Sequence, residues 1–332
     1  MQLLTCQTTT DLLRRVRHVL IGGHIRPDGD CLGAMAALGL GLRACGAEAS
    51  MVMPEPIPHR YQFLAPHFTP ASPPGLPDLL IVLDTSDRPR IALPADVLAC
   101  GAPLLVIDHH VAGAHQADFL WCDPSYGAAA CMVYDLLCAL QCDLSAPIAE
   151  ALYTGILTDT GCFTYPNADE RIFALALRLV QKGLDTAHIA REVYQRVSLA
   201  ATRLLGGALN TLQCHDHNRI AIMHVSCAML RETGAVPADT EDLINVARAI
   251  DSVVVAALVT EQSDGHVRLS LRSKDSRVNV GQLALRLGGG GHVCASGATL
   301  HEPLGSVLAR LPALLQNFLE ESFSRCTVST SS

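Results

Sequence analysis

Aspartate and histidine recur at four places in this chain, and each place follows an apolar run. His24, Asp28 and Asp30 lie in Gly23-His24-Ile25-Arg26-Pro27-Asp28-Gly29-Asp30, just after Val19-Leu20-Ile21. Asp84 follows Leu79-Leu80-Ile81-Val82-Leu83, and Asp108-His109-His110 follows Pro103-Leu104-Leu105-Val106-Ile107. Asp159 closes Gly155-Ile156-Leu157-Thr158-Asp159, a stretch with no other charge after Glu150. Carboxylates crowded this way repel, and one of each pair tends to hold a proton. A divalent cation removes the conflict. Imidazole with several carboxylates and no cysteine suits manganese or magnesium better than a structural zinc. Four converging carboxylates carry −4, which two divalent ions balance, leaving a centre able to accept phosphate. Two metals about 3.5–4 Å apart are the usual clamp for phosphoester hydrolysis. For the first turn alone, a plain reading is also open: an Asp-rich cap for the helix from Cys31 to Cys45.

The elements that must place these residues read as α/β. Near-continuous apolar runs are those of parallel strands covered on both faces. Ligands of open α/β sheets bind outside the carboxyl ends of such strands. Strands are expected at 19–21, 48–53, 78–83 and 103–107. Helices are expected at 8–17 (capped by Thr9 or Thr10), 31–45, 126–140, 146–158, 167–182, 187–195 and 198–212, with a Pro-rich connection over 54–77. A second α/β pattern begins near Asn218, with strands at 220–225, 253–259 and 267–272, the last two joined by a hairpin turn. Helices follow at 240–250, 280–287 and 304–319, then a disordered tail over 327–332. The expected division is a first domain over 1–195, a helical connector over 196–214 and a second domain over 215–332.

Composition excludes several classes. At 332 residues, 49% hydrophobic and 17% charged, the chain has ample core. No run approaches eighteen apolar residues, and the N-terminus has no basic-then-apolar pattern, so a cytoplasmic chain without a membrane span is expected. Thirteen cysteines without a C-x-x-C pair read as reduced, buried thiols. A net charge of −8 disfavours binding to long duplex nucleic acid.

The motifs resemble those of the DHH phosphoesterases, DHHA1 subfamily, and within it the stand-alone bacterial nano-RNases that also act on 3′-phosphoadenosine 5′-phosphate (pAp). Besides the four stretches above, Ser270-Leu271-Arg272-Ser273 and Gly288-Gly289-Gly290-Gly291-His292-Val293-Cys294-Ala295-Ser296-Gly297 resemble the DHHA1 signature. The resemblance runs over 12–300. It implies an N-terminal parallel-sheet DHH domain, a smaller C-terminal α/β DHHA1 domain and an active-site cleft between them.

Carried over residue by residue, it implies that His24 and Asp28 bind one metal, that Asp30, His109 and Asp159 bind a second, and that Asp84 bridges both. Hydroxide held by the metals would attack the phosphate. Asp108 would orient the site and His110 would contact the scissile phosphate. Arg272, Ser273, Gly289, Gly290, Gly291 and His292 would bind substrate, with an arginine fork matched to phosphate oxygens. The implied cofactors are two divalent cations, manganese foremost, with magnesium or cobalt as alternatives. The implied substrates are RNA of two to five nucleotides, pAp, and linear or cyclic dinucleotides. A cyclic-dinucleotide phosphodiesterase and a RecJ-like single-strand exonuclease are the enzymatic alternatives, and a catalytically silent nucleotide sensor is the alternative of another class. A homodimer would fit the apolar surface of the first domain. Pro124 to Ala130 departs from the Ser/Thr-richer helix start of relatives, leaving Ser125 as a candidate phosphate contact through a helix N-terminus.

Overall fold

The computed structural model describes residues 1–52, 56–68, 76–110, 117–291 and 293–329, which form two compact units, 1–196 and 197–332. Strands of the first unit are β1 (Gln2–Leu3), β2 (His18–Gly22), β3 (Glu48–Met51), β4 (Leu79–Leu83), β5 (Leu104–Asp108) and β6 (Phe119–Cys122). Its helices are α1 (Cys6–Leu13), α2 (Gly29–Ala44), α3 (Ala95–Leu98), α4 (Ala129–Ala139), α5 (Ala146–Asp159), α6 (Glu170–Val180) and α7 (Thr186–Tyr194). The strands make one parallel sheet in the order β1-β6-β5-β4-β2-β3.

The period of two explains why these strands are apolar throughout. Val19, Ile21, Leu79, Ile81, Leu83, Leu105 and Ile107 face the core under α2, α4 and α5. Leu20, Leu80, Val82, Leu104 and Val106 face a smaller cluster closed by Leu93 and Leu120. The chain runs from β2 outward to β3, then returns to the other side of β2 with β4. The strand order therefore reverses between β2 and β4, which is where open α/β sheets bind ligands.

Helix α2 is buried almost all round, because it lies between the sheet and α5. The two helices cross at glycines. A Cβ on Gly33 would stand 2.3 Å from the Ala151 carbonyl oxygen, and one on Gly155 would stand 2.7 Å from Asp30 Oδ1.

The second unit carries α8 (Leu199–Asn210), β7 (Gln213–His215), β8 (Ile220–Val225), α9 (Cys227–Thr233), α10 (Leu243–Ala249), β9 (Val255–Glu261), β10 (Val267–Ser273), α11 (Val280–Arg286), β11 (Gly290–Gly291), β12 (Ala295–Leu300) and α12 (Leu304–Ser329). Its sheet runs β11-β12-β10-β9-β8-β7, antiparallel except for β8 and β9. Helices α11 and α12 cover one face, and α8 and α10 pack on the other. Among the described residues, no helix is long and apolar enough to cross a membrane.

Several expectations need correction. Thr5, not Thr9 or Thr10, caps α1, in a reciprocal pair with Thr8; Thr9 and Thr10 are buried inside the helix. Strands β1 and β6 were not anticipated, being two and four residues long. A 3-10 helix, His59–His67, lies within the Pro-rich connection. Helix α12 runs on through 327–329, where a disordered tail was expected. The thiols are not all reduced and buried. A disulfide joins Cys45 and Cys142 across 97 residues, and Cys138, Cys162 and Cys214 are exposed. Single cysteines so far apart carry no spacing from which a pair could be read.

The helix crossing makes a prediction. Gly33→Ala and Gly155→Ala should each destabilise the fold by about 1–3 kcal/mol through overpacking. Gly155→Ala should also weaken divalent-cation binding, since its methyl meets Asp30. Thermal melts and metal titration check this; unchanged affinity in a folded Gly155→Ala chain would contradict it.

Candidate active site

The groups at 24–30, 84, 108–110 and 159 converge. Asp84 follows β4 with φ of 63°, a left-handed backbone that few side chains adopt. Its backbone N–H still donates to the Ile107 carbonyl, 3.0 Å away, so the strand end is held while the carboxylate turns out of the ladder. Strain of this kind concentrates at functional sites. Asp84 is 2% exposed. Its Oδ2 lies 3.4 Å from His24 Nε2, and its Oδ1 lies 3.4 Å from His109 Nε2 and 3.6 Å from His110 Nδ1. Among the described residues Oδ1 accepts no hydrogen bond of good geometry. A buried carboxylate oxygen without a hydrogen-bond donor fits a cation as its partner.

His24 Nδ1 lies 2.9 Å from the Ile25 carbonyl. An N–H there donates, which leaves Nε2 to face Asp84 and Asp28. Asp28 caps α2, accepting from the backbone of Asp30 and Cys31 at 3.1 Å each, and its Oδ1 is 3.9 Å from His24 Nε2. His109 Nδ1 lies 3.2 Å from the Tyr126 carbonyl, which turns its Nε2 toward Asp84 and toward Asp30 Oδ2, 3.8 Å away.

Asp30 has a second task. The cap position of α4 is Ala128, which has no side chain to offer. Asp30 reaches across from α2 and accepts from Ala129 N–H at 2.6 Å and Ala130 N–H at 2.9 Å. The first-turn donors of α4 are thus taken. Ser125 lies outside that turn, where its carbonyl accepts from Arg171.

Asp159 ends α5, where the helix dipole disfavours a negative charge. Asn167 Nδ2 donates to its Oδ2 at 2.9 Å. Asp108 is fully buried and its Oδ1 accepts from both Nδ1 and the backbone N–H of His110, at 2.6 and 3.1 Å.

Three groups of side chains have donor atoms close enough to share an ion: His24, Cys31 and Asp84; Asp84, His109 and His110; and Asp30, His109 and Asp159. Asp84 and His109 link them into one chain. The carboxylate and imidazole donors suit divalent cations of the manganese and magnesium type. Cys31 was not anticipated. Its buried Sγ accepts from the His24 backbone at 3.4 Å and stands beside the first group. Asn167 and the backbone of 129–130 were likewise missed. A thiol inside an apolar helix reads as core, and backbone donors leave no mark in a sequence.

Protons stand in for the cations. Burial opposes a charged His109, but Asp84, Asp159 and Asp30 outweigh it and raise its pKa to about 11. His24 is raised in the same way, against burial, by Cys31, Asp28 and Asp84. Burial, with Asp84 and Asp28 adding to it, raises Asp159 to about 7. Asp30 rises well above its ordinary range through burial and the charges of Asp84 and Asp159. Asp84 is lowered, since its histidines overcome its burial.

The second unit holds the remaining candidates. On β10, Val267, Leu269, Leu271 and Ser273 point into the core, while Arg268, Ser270 and Arg272 take the other face. Arg272 and Ser273 therefore do not converge. Ser273 is buried and donates to the Asp275 carbonyl at 2.9 Å. Gly289, Gly290 and Gly291 lie along β12: a Cβ on Gly289 would stand 2.1 Å from the Gly297 carbonyl, and Gly291 has φ of 137°. His292 lies outside the described residues.

Comparison with known proteins bears on this arrangement. A Thermus thermophilus protein named "Bifunctional oligoribonuclease and PAP phosphatase NrnA" is 32% identical over 291 residues, 85% of this chain and 84% of that one. A Streptococcus mutans protein with the same name, marked probable, is 35% identical over 220 residues, 66% and 69% of the two chains. The DHH family, N-terminal domain, matches residues 18–156, and the DHHA1 domain matches 220–323. The chain belongs to the DHH family, whose members are metal-dependent phosphoester hydrolases. A crystal structure of an exopolyphosphatase-related protein from Bacteroides fragilis shares the fold, with a TM-score of 0.83, 23% identity, and 96% and 97% of the two chains covered.

The raised Asp159 gives a signed prediction. Its pKa rises from the ordinary 3.8 to about 7 on folding. Its contribution to stability is complete below about 4 and is lost as pH climbs to about 7. Metal-free protein should therefore lose melting temperature across that window, and Asp159→Asn should flatten the loss. Manganese should raise the melting temperature of the wild type more than that of Asp159→Asn. Identical pH slopes in the two chains would contradict this.

Proposed function

We propose that this chain degrades RNA of a few nucleotides to mononucleotides and removes the 3′-phosphate of pAp. The observation that carries the reading is Asp84, buried with one oxygen toward His24 and the other toward His109 and His110. Both oxygens of one buried carboxylate thus face imidazole donors, which supports a carboxylate shared by two cations. The relatives whose names pair the two activities support the substrate class.

His24, Asp28 and Asp84 would hold one cation, and Asp30, His109, Asp159 and Asp84 the other, with manganese foremost. Bound there, the cations supply positive charge to phosphoryl oxygens and activate water. The other steps belong to the side chains. Asp108 fixes His110 through a 2.6 Å hydrogen bond, and that bond, with Asp84 nearby, raises the His110 pKa against the effect of burial. The shift favours the protonated imidazole, the form that donates to a scissile phosphate. Asp159 and Asp30 give up their protons when the cations arrive. In the second unit, Arg272 would grip a substrate phosphate with its fork, and Gly289, Gly290, Gly291 and His292 are the further substrate-binding candidates. Ser273 would serve from behind, through the Asp275 turn that follows β10. The chain works in the cytoplasm, on diffusible nucleotides.

Release of mononucleotide from a dinucleotide RNA and of phosphate from pAp tests the reading. Both should require manganese and stop on chelation. Asp84→Ala should abolish both together with metal uptake. Asp108→Asn should lower turnover about 10–100-fold with metal retained, since it loosens only the orientation of His110. Arg272→Ala should raise KM roughly tenfold or more with a smaller effect on kcat. Turnover indifferent to chelator would overturn the proposal.

A further inference from the structure

Three side chains of the second unit, none of them part of the cluster above, form a separate donor set. His266 immediately precedes β10 and His301 immediately follows β12. The two strands are antiparallel, with Val267 opposite Leu300. One step further along that register sets His266 opposite His301. Directly opposed residues have Cβ atoms about 4.5–5.5 Å apart, close enough for two imidazoles to meet.

They do meet. His301 Nδ1 lies 3.1 Å from His266 Nε2, with the rings edge to face and their centroids 4.3 Å apart. Behind His266 stands Asp264, in the turn between β9 and β10. Its Oδ2 is 3.1 Å from His266 Nδ1, and its Oδ1 accepts from the His266 backbone N–H at 3.1 Å.

A carboxylate only accepts, so the hydrogen goes to His266 Nδ1, and in the neutral imidazole Nε2 carries the lone pair. Nε2 lies on the side of the ring that faces His301 Nδ1. Two imidazole lone pairs at this distance repel unless something positive lies between them, either a proton from His301 or a cation. Metal–imidazole bonds are about 2.0–2.1 Å long, so two such nitrogens at a right angle around one ion stand about 3 Å apart. The observed 3.1 Å fits that bite. A carboxylate on the far nitrogen of a ligating histidine is the usual support for such a site. His266 is partly exposed and His301 exposed, which leaves the other coordination positions to water.

We propose that His266 and His301, with Asp264 orienting His266, chelate a divalent transition cation of the imidazole-preferring class, Zn(II), Ni(II) or Cu(II). Magnesium and manganese, which favour oxygen, are not its ions. The sheet register builds the site, so it forms with the fold and needs no ligand to organise it.

Titration of the manganese-loaded full chain with Ni(II), followed by calorimetry, tests this. The wild type and Asp84→Ala should both take up one Ni(II) equivalent that His266→Gln and His301→Gln lack. Asp264→Asn should keep the equivalent with affinity lowered about 10–100-fold. Manganese-dependent turnover should be unchanged in His301→Gln. In the unsubstituted chain, paramagnetic Ni(II) should broaden the ring signals of His266 and His301 before those of other histidines, a readout that needs no variant. The same Ni(II) equivalent in His301→Gln as in the wild type, or broadening that begins at other histidines, would overturn the proposal.

Discussion

Like charges withdrawn from water must be balanced, and the first unit is built around that requirement. Asp30, Asp84 and Asp108 are each 2% exposed or less, and Asp159 joins them at the wrong end of a helix dipole. Desolvation alone would protonate all of them. In the structure the balance comes from imidazoles: His24 and His109 are pushed toward the charged form by the carboxylates they touch, and Asp84 in turn is held ionised. This is an internally neutralised cluster whose protons are replaceable by cations. Asp108 stands apart because His110 holds its Oδ1 through two hydrogen bonds.

The fold follows from keeping that cluster together. Strands β2, β4 and β5 are neighbours around the reversal of strand order, and the donors come from the residues at or just beyond their carboxyl ends. The remaining donors, Asp30 and Asp159, arrive on helices, and the Gly33–Gly155 crossing lets those helices approach. Asp30 also closes the start of α4, which lacks a capping side chain of its own. The acid–imidazole cluster and the helix packing therefore share a residue, so a change at Asp30 would act on both.

Much of this is legible in the sequence. Apolar runs ending in Asp84 and in Asp108-His109-His110 mark strand ends that carry chemistry, because a buried parallel strand has no other reason to stop in acids. Asp159, after an uncharged helix, stands out in the same way. Other features leave no local mark. The pairing of Cys45 with Cys142 spans 97 residues. The bonds from 129 and 130 to Asp30 come from backbone, which every residue carries. Cys31 reads as a core residue until its sulfur is seen beside His24. In the second unit, the alternation of β10 turns Ser273 inward, away from Arg272, a consequence of strand period that a motif match passes over. Glycines that suggest room for a ligand are needed at Gly289 and Gly291 for contact with β12.

The central claim is that Asp84 is shared by two cations. Anomalous diffraction at the manganese edge, on crystals grown with manganese, tests it most directly. The account predicts two peaks, one against the Asp84 oxygen that faces His24 and one against the oxygen that faces His109. A single peak, or peaks that leave Asp84 uncoordinated, would contradict it.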